Sequence, residues 1–101
     1  MTRIKVIIKR PDEPVGHMTF ISNTLKNLQN TVDGPIETVT VSEDLVIICN
    51  ENGRLLWLPY NCTFGGGDFC GTLIFAGVSG DDFADITISM KEYRALFGFQ
   101  D

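Results

Sequence analysis

Residues 36–58 read IETVTVSEDLVIICNENGRLLWL, and the rest of the chain is arranged around them. Ile36 to Val41 is dense in β-branched side chains, which favour extended backbone. Ser42-Glu43-Asp44 follows as a turn. Leu45 to Cys49 is then apolar without alternation, the pattern of a central strand covered on both faces. Asn52-Gly53, set between ICNE and RLLWL, is a hairpin signal, because these residues accept the positive φ that a two-residue turn requires. Three closely joined strands predict an antiparallel meander with residues 45–49 at the core of the domain. Glu37 is the odd residue, since strict alternation puts it on the face of Val39 and Val41. An edge position or a bulge accounts for it more cheaply than a buried acid.

Toward the N-terminus, Thr2 to Arg10 alternates. Ile4, Val6 and Ile8 point one way, Arg3, Lys5 and Lys9 the other, which predicts a strand with one wet face. Pro11, Pro14 and Gly16 supply a turn, and His17 to Ile21 resumes an extended run, so the first two strands are expected to pair as a hairpin. Ser22 and Asn23 are candidate N-caps for a helix carrying Leu25, Leu28 and Val32 on one stripe, stopped by Gly34-Pro35.

Toward the C-terminus, LPYNCTFGGGDFCG (58–71) reads as an irregular loop, with Pro59 breaking pairing and Gly65, Gly66, Gly67 and Gly71 permitting unusual backbone shapes. Thr72 to Val78 reads as a second buried strand and residues 79–82 as its turn. Ser89 and Glu92 form a capping box for a last helix with Met90, Tyr93 and Phe97 on one face and Gly98 at its end. The expectation is a single α+β domain over residues 1–101, a mixed, mainly antiparallel sheet of about five or six strands with two short helices.

Composition narrows the function classes. The 101 residues are 44% hydrophobic and carry 8 basic and 13 acidic side chains, a net charge of −5. Arg3, Lys5, Lys9 and Arg10 hold half the basic charge, so residues 11–101 carry 4 basic against 13 acidic side chains, or −9. That excludes an extended basic groove for nucleic acid, because phosphate neutralisation supplies non-specific affinity. No signal-peptide core and no run of about 18 apolar residues is present, so a cytoplasmic protein with no membrane contact is expected. Cys49, Cys62 and Cys70, odd in number and without CxxC spacing, read as reduced thiols.

The stretch IETVTVSEDLVIICNENGRLLWLPYN (36–61), continued by DFCGTLIFAG (68–77) and GDDFADI (80–86), resembles a family of small proteins of unknown function encoded by bacteriophages, mobile elements and gut Firmicutes. The resemblance covers most of the chain and implies a small α+β domain on a phage or integrated element, with no established activity to carry over.

Candidate sites are few. Gly65, Gly66 and Gly67 offer backbone N–H groups to an anion, with Arg54, Trp57, Tyr60 and Asn61 close by, and Trp57 and Tyr60 as stacking surfaces. Neither a Walker-type Lys-Ser/Thr nor a following helix accompanies the glycines, and a plain turn is the competing reading. Trp57 and Phe69 are expected to be buried more than Tyr60. Arg3, Lys5 and Lys9 form a candidate face for an acidic partner, against the alternative that they blunt an edge strand. Zinc on His17 and the cysteines, a thiol nucleophile, and a cation at Asp81, Asp82 and Asp85 each lack the required spacing or setting. No cofactor, metal or catalytic residue is therefore expected. The expectation is a non-enzymatic interaction module of a phage or mobile element, binding a host or phage protein or a small anionic ligand. The alternative is an anti-defence protein that sequesters a nucleotide or inhibits a host nuclease. Self-association is left open by the sequence.

Overall fold

In the computed structural model, which describes residues 2–100, eight strands and two helices follow in the order β1 (Arg3–Lys9), β2 (His17–Ser22), α1 (Leu25–Val32), β3 (Ile36–Ser42), β4 (Leu45–Asn50), β5 (Tyr60–Phe64), β6 (Gly67–Cys70), β7 (Leu73–Ser79), β8 (Asp82–Ala84) and α2 (Met90–Phe97). The α+β expectation holds. Six strands make one antiparallel sheet, ordered β2-β1-β7-β4-β3 with β8 also against β7, and β5 and β6 form a separate two-stranded sheet.

Every residue of β4 is buried, because the sheet is covered on both faces. On one face Ile4, Val6, Ile8, Val46, Ile48, Ile74 and Ala76 pack under Leu28 and Val32 of α1. On the other, Ile7, Leu45, Ile47, Leu73 and Phe75 pack under α2, through Tyr93, and under Cys62 and Phe69 of the small sheet. Alternation along each strand sorts its side chains between these two clusters.

Helix α1 starts one residue later than Ser22-Asn23 suggests. Thr24 is the N-cap, its side chain accepting from the Asn27 N–H at 3.2 Å, and Asp33 in left-handed conformation closes the helix ahead of Gly34. Leu25 of the expected stripe stays exposed, while Leu28 and Val32 are buried. The capping box of α2 is as read, with Ser89 and Glu92 each satisfying the other's backbone N–H.

Three expectations are corrected. The meander stops after two strands: Glu51 to Trp57 forms consecutive turns closed by Gly53 N–H to Asn50 O and Leu56 N–H to Asn52 O, so Asn52-Gly53 does not head a hairpin. Strand β4 instead takes β7 as its second neighbour. The glycine segment is not an irregular loop. It is the hairpin of β5 and β6, where Phe64 pairs Gly67 across Gly65 (φ 60°) and Gly66 (φ 81°), the two positive φ angles of a primed turn. Gly66→Ala is accordingly expected to lower stability by about 1 kcal/mol, read as a shift in urea midpoint. The third correction concerns β1, which is interior, between β2 and β7, and is covered on its basic face at the Lys9 end. Those charges therefore do not protect an edge. The path through the main sheet ends at β2 and β3, and β8 pairs with β7 alone among the described residues.

Candidate functional site

The end of β4 shapes the site. Asn50 is buried and turns the chain: its side-chain amide donates to Val32 O at 3.0 Å and its Oδ1 accepts the Asn52 N–H at 2.7 Å. The turns that follow lie against the β5–β6 hairpin, and Gly53 permits this because a Cβ there would stand 2.9 Å from Cys70 O. Between the turns, the hairpin and the Glu37–Val39 part of β3 opens a pocket of about 860 Å³. Arg54, Leu55 and Trp57 of the turns and Tyr60, Gly65, Gly67 and Asp68 of the hairpin are among its lining residues, while Gly66 is not.

The rim is apolar and exposed. Leu55 is 80% and Trp57 92% exposed, with Leu56 and Tyr60 more than half exposed, so the expectation of a buried Trp57 is overturned. Trp57 was expected to lie in a strand; instead it sits at φ 56°, a left-handed conformation unusual for an aromatic residue. Phe69 is buried as expected. The Tyr60 hydroxyl meets Thr63 Oγ1 at 2.7 Å, and Thr63 donates to Asp68 Oδ1 at 2.6 Å, a chain that holds Asp68 at the pocket wall. Three carboxylates, Glu37, Glu51 and Asp68, and one guanidinium, Arg54, line the pocket. In the sequence Glu37 stands out only as a break in alternation, and no local pattern marks Glu51 or the exposed Leu55-Leu56 pair. The polar Asn50 ending an apolar strand was the available sign that the chain leaves the sheet there.

Asn61 belongs elsewhere. It is buried, accepts from Lys9 Nζ at 2.8 Å, and donates to Lys9 O at 2.8 Å and Gly71 O at 2.9 Å. Lys9 is 3% exposed, its ammonium 5.0 Å from the centre of the Phe99 ring, which removes it from any accessible basic face. Arg3 covers the exposed Phe20 ring at 5.2 Å, and the Lys5 backbone donates to Asp85 Oδ1. Thus Lys9 is withdrawn from the face that alternation gives it with Arg3 and Lys5, and Asp85 is an intramolecular acceptor. His17 pairs with Glu13 at 2.8 Å.

The three cysteines are free. Burial, helped by the charge of Glu37, pushes the Cys49 thiol up to about 11, and burial raises that of Cys62 against the opposing charge of Lys9. Because the thiolate is the nucleophile, both resist modification in the folded protein. Titration with a thiol-disulfide reagent at pH 8 is expected to release one equivalent rapidly, from the partly exposed Cys70, and the other two only in denaturant. Three rapid equivalents would show that the core around Cys49 and Cys62 opens readily.

No curated protein and no solved structure matches the chain. A family model described as a domain of unknown function (DUF3846) matches residues 4–98, from the start of the sheet to the cap of α2, and the chain belongs to that family.

Proposed function

We propose that the protein is a non-enzymatic interaction module of a phage or mobile element, acting in the bacterial cytoplasm and capturing a protein partner at the pocket beside β3. The observation that carries this reading is the pair of exposed apolar side chains on the pocket lining, Leu55 and Trp57, with the exposed Leu56 between them in the chain. Adjacent large apolar side chains left in water beside a concave site mark interaction surfaces, with Trp the residue type most often dominant in them. The left-handed φ of Trp57 adds to the argument, since strain persists where a position serves something other than stability. The phage or mobile-element setting rests on the resemblance of residues 36–61. The cytoplasmic setting draws on the free cysteines. Among the described residues, no helix is long and apolar enough to cross a membrane.

The test separates binding from folding. Trp57→Gly relieves the left-handed strain, so stability is expected to hold or to rise by up to about 1 kcal/mol. The same variant is expected to lose the partner that the wild-type protein recovers from host lysate. Unchanged recovery would remove the rim from the interaction.

The anti-defence alternative, a pocket that sequesters a nucleotide, draws support from Trp57, Tyr60 and the Arg54 guanidinium. Against it, Glu37, Glu51 and Asp68 put negative charge where phosphates would lie. A thermal-shift series with nucleotides at millimolar concentration discriminates, because a ligand selective for the folded state raises apparent stability. The other form of that alternative, inhibition of a nuclease, is itself capture of a basic protein surface and agrees with the pocket's charge.

A further inference from the structure

We infer that the occupant of this pocket is an extended peptide that adds as a further strand to the open edge of β3, placing a Lys or Arg among Glu37, Glu51 and Asp68 and an apolar side chain over Val39. The inference rests on the reading of the pocket as a protein-binding site and names the mode and chemistry of the partner.

The first ground is the edge itself. Strand β3 ends the sheet and pairs only with β4 among the described residues. The Glu51 N–H donates to Pro35 O at 2.8 Å, which makes residues 35 and 51 a hydrogen-bonded pair. In an antiparallel ladder such pairs alternate, so Glu37 and Val39 aim their backbone groups at Cys49 and Ile47, and Ile36, Thr38 and Thr40 aim theirs outward. Natural edges are usually blunted by Lys, Pro, inward charge or a bulge. Residues 36–42 contain neither Lys nor Pro, the register shift comes only between Thr40 and Ser42, at the far end from the pocket, and the one charge, Glu37, is exposed in the pocket, where a basic partner side chain would pair with it.

The second ground is register. The side chains of Glu37 and Val39 share the face that lines the pocket. A strand laid beside them alternates in the same way, so residues two apart on the incoming peptide meet Glu37 and Val39 in turn. The third ground is charge: three carboxylates against one guanidinium in the lining select a basic side chain, and they do so within a body of residues 11–101 that is strongly acidic. Main-chain pairing with alternate side-chain pockets is an established way for sheet edges to recognise peptides. Neither β2 nor β8, the other strands of the main sheet with a single partner among the described residues, contributes a residue to this pocket.

The test uses the full-length protein and a bead-displayed library of randomised seven-residue peptides. Selected peptides are expected to carry Lys or Arg two positions from a large apolar residue. Resynthesised with N-methyl groups on alternate residues, they are expected to lose binding in one of the two frames, because one set of amides faces β3. In the protein, Thr38→Pro removes an outward N–H at a position where an edge strand tolerates proline, so the fold is kept and affinity falls about tenfold. Protection of the Thr38 and Thr40 amides from hydrogen exchange on binding is the independent readout. Peptides that bind equally with either N-methyl pattern and to T38P, yet not to W57G, would overturn strand addition and leave the pocket reading standing. A library that yields no binder, or only acidic ones, would overturn both the partner chemistry and the peptide mode. Concentration-dependent dimerisation abolished by T38P would assign the edge to a second copy of this chain and overturn the proposal.

Discussion

Replacing Asn61 with Ala is expected to lower the free energy of unfolding by about 3–5 kcal/mol, the range for removing the partner of a buried charge. The Lys9 ammonium is enclosed, with Asn61 Oδ1 as its hydrogen-bond acceptor and the Phe99 ring beside it. Truncation leaves that ammonium without an acceptor and also unpairs Lys9 O and Gly71 O, the two carbonyls that the Asn61 amide joins. The pair of substitutions Lys9→Met and Asn61→Leu is expected to recover part of the loss, since removing both partners avoids the orphaned charge. Far-UV circular dichroism in urea is the appropriate measurement, because Trp57 is already in water in the folded state. A loss below about 1 kcal/mol for Asn61→Ala would mean that solvent reaches Lys9 and that the network does not join the hairpin to β1.

Phe75→Ala is expected to cost about 3–5 kcal/mol, at the upper end of core truncations. Phe75 is fully buried at the centre of β7, and its ring lies 4.9 Å from both Tyr93 and Phe97. Phe97 continues to Phe64 at 4.7 Å and Phe99 at 5.7 Å, so the cluster ties α2 and the small sheet to the main sheet. Truncation removes transfer free energy, opens a cavity and breaks two ring contacts together. Tyr93 cannot collapse into the space without cost, because its hydroxyl donates to Val15 O at 2.7 Å. The check is urea unfolding of Phe75→Ala beside Phe75→Leu, which keeps more of the volume and is expected to lose less. Equal losses would show that the cavity matters little and that ring geometry dominates.

The architecture was legible where local pattern and tertiary environment agree. The unbroken apolar run of 45–49 required cover on both faces and has it. The Ser89 and Glu92 spacing specified a cap that needs no distant partner. It failed where a local signal was outweighed from a distance. Asn52-Gly53 has hairpin chemistry, but β7 occupies the place beside β4 that residues 54–58 would have taken. The glycine segment reads as irregular because strands of five and four residues on either side of a two-glycine turn leave too little alternation to recognise. Lys9 read as solvated because alternation specifies a face and not what covers it; the covering groups, Asn61 and Phe99, lie 52 and 90 positions away. For the site, Arg54, Trp57, Tyr60, Gly65 and Gly67 do meet around one pocket, while its carboxylates come from three separate segments.

Strand β7 has a consequence for how the chain comes off the ribosome. It is the seventh strand in order yet the middle of the sheet, joining β1 on one side to β4 on the other. Until residues 73–79 emerge, the β1–β2 and β3–β4 hairpins lack the strand that joins them, and the face that α2 and the small sheet cover is open. Loop closure over such separations slows folding and extends the time that unpaired edges are exposed. Assembly of the main sheet therefore waits for Leu73, and a nascent chain stalled before it presents two hairpins in place of a domain.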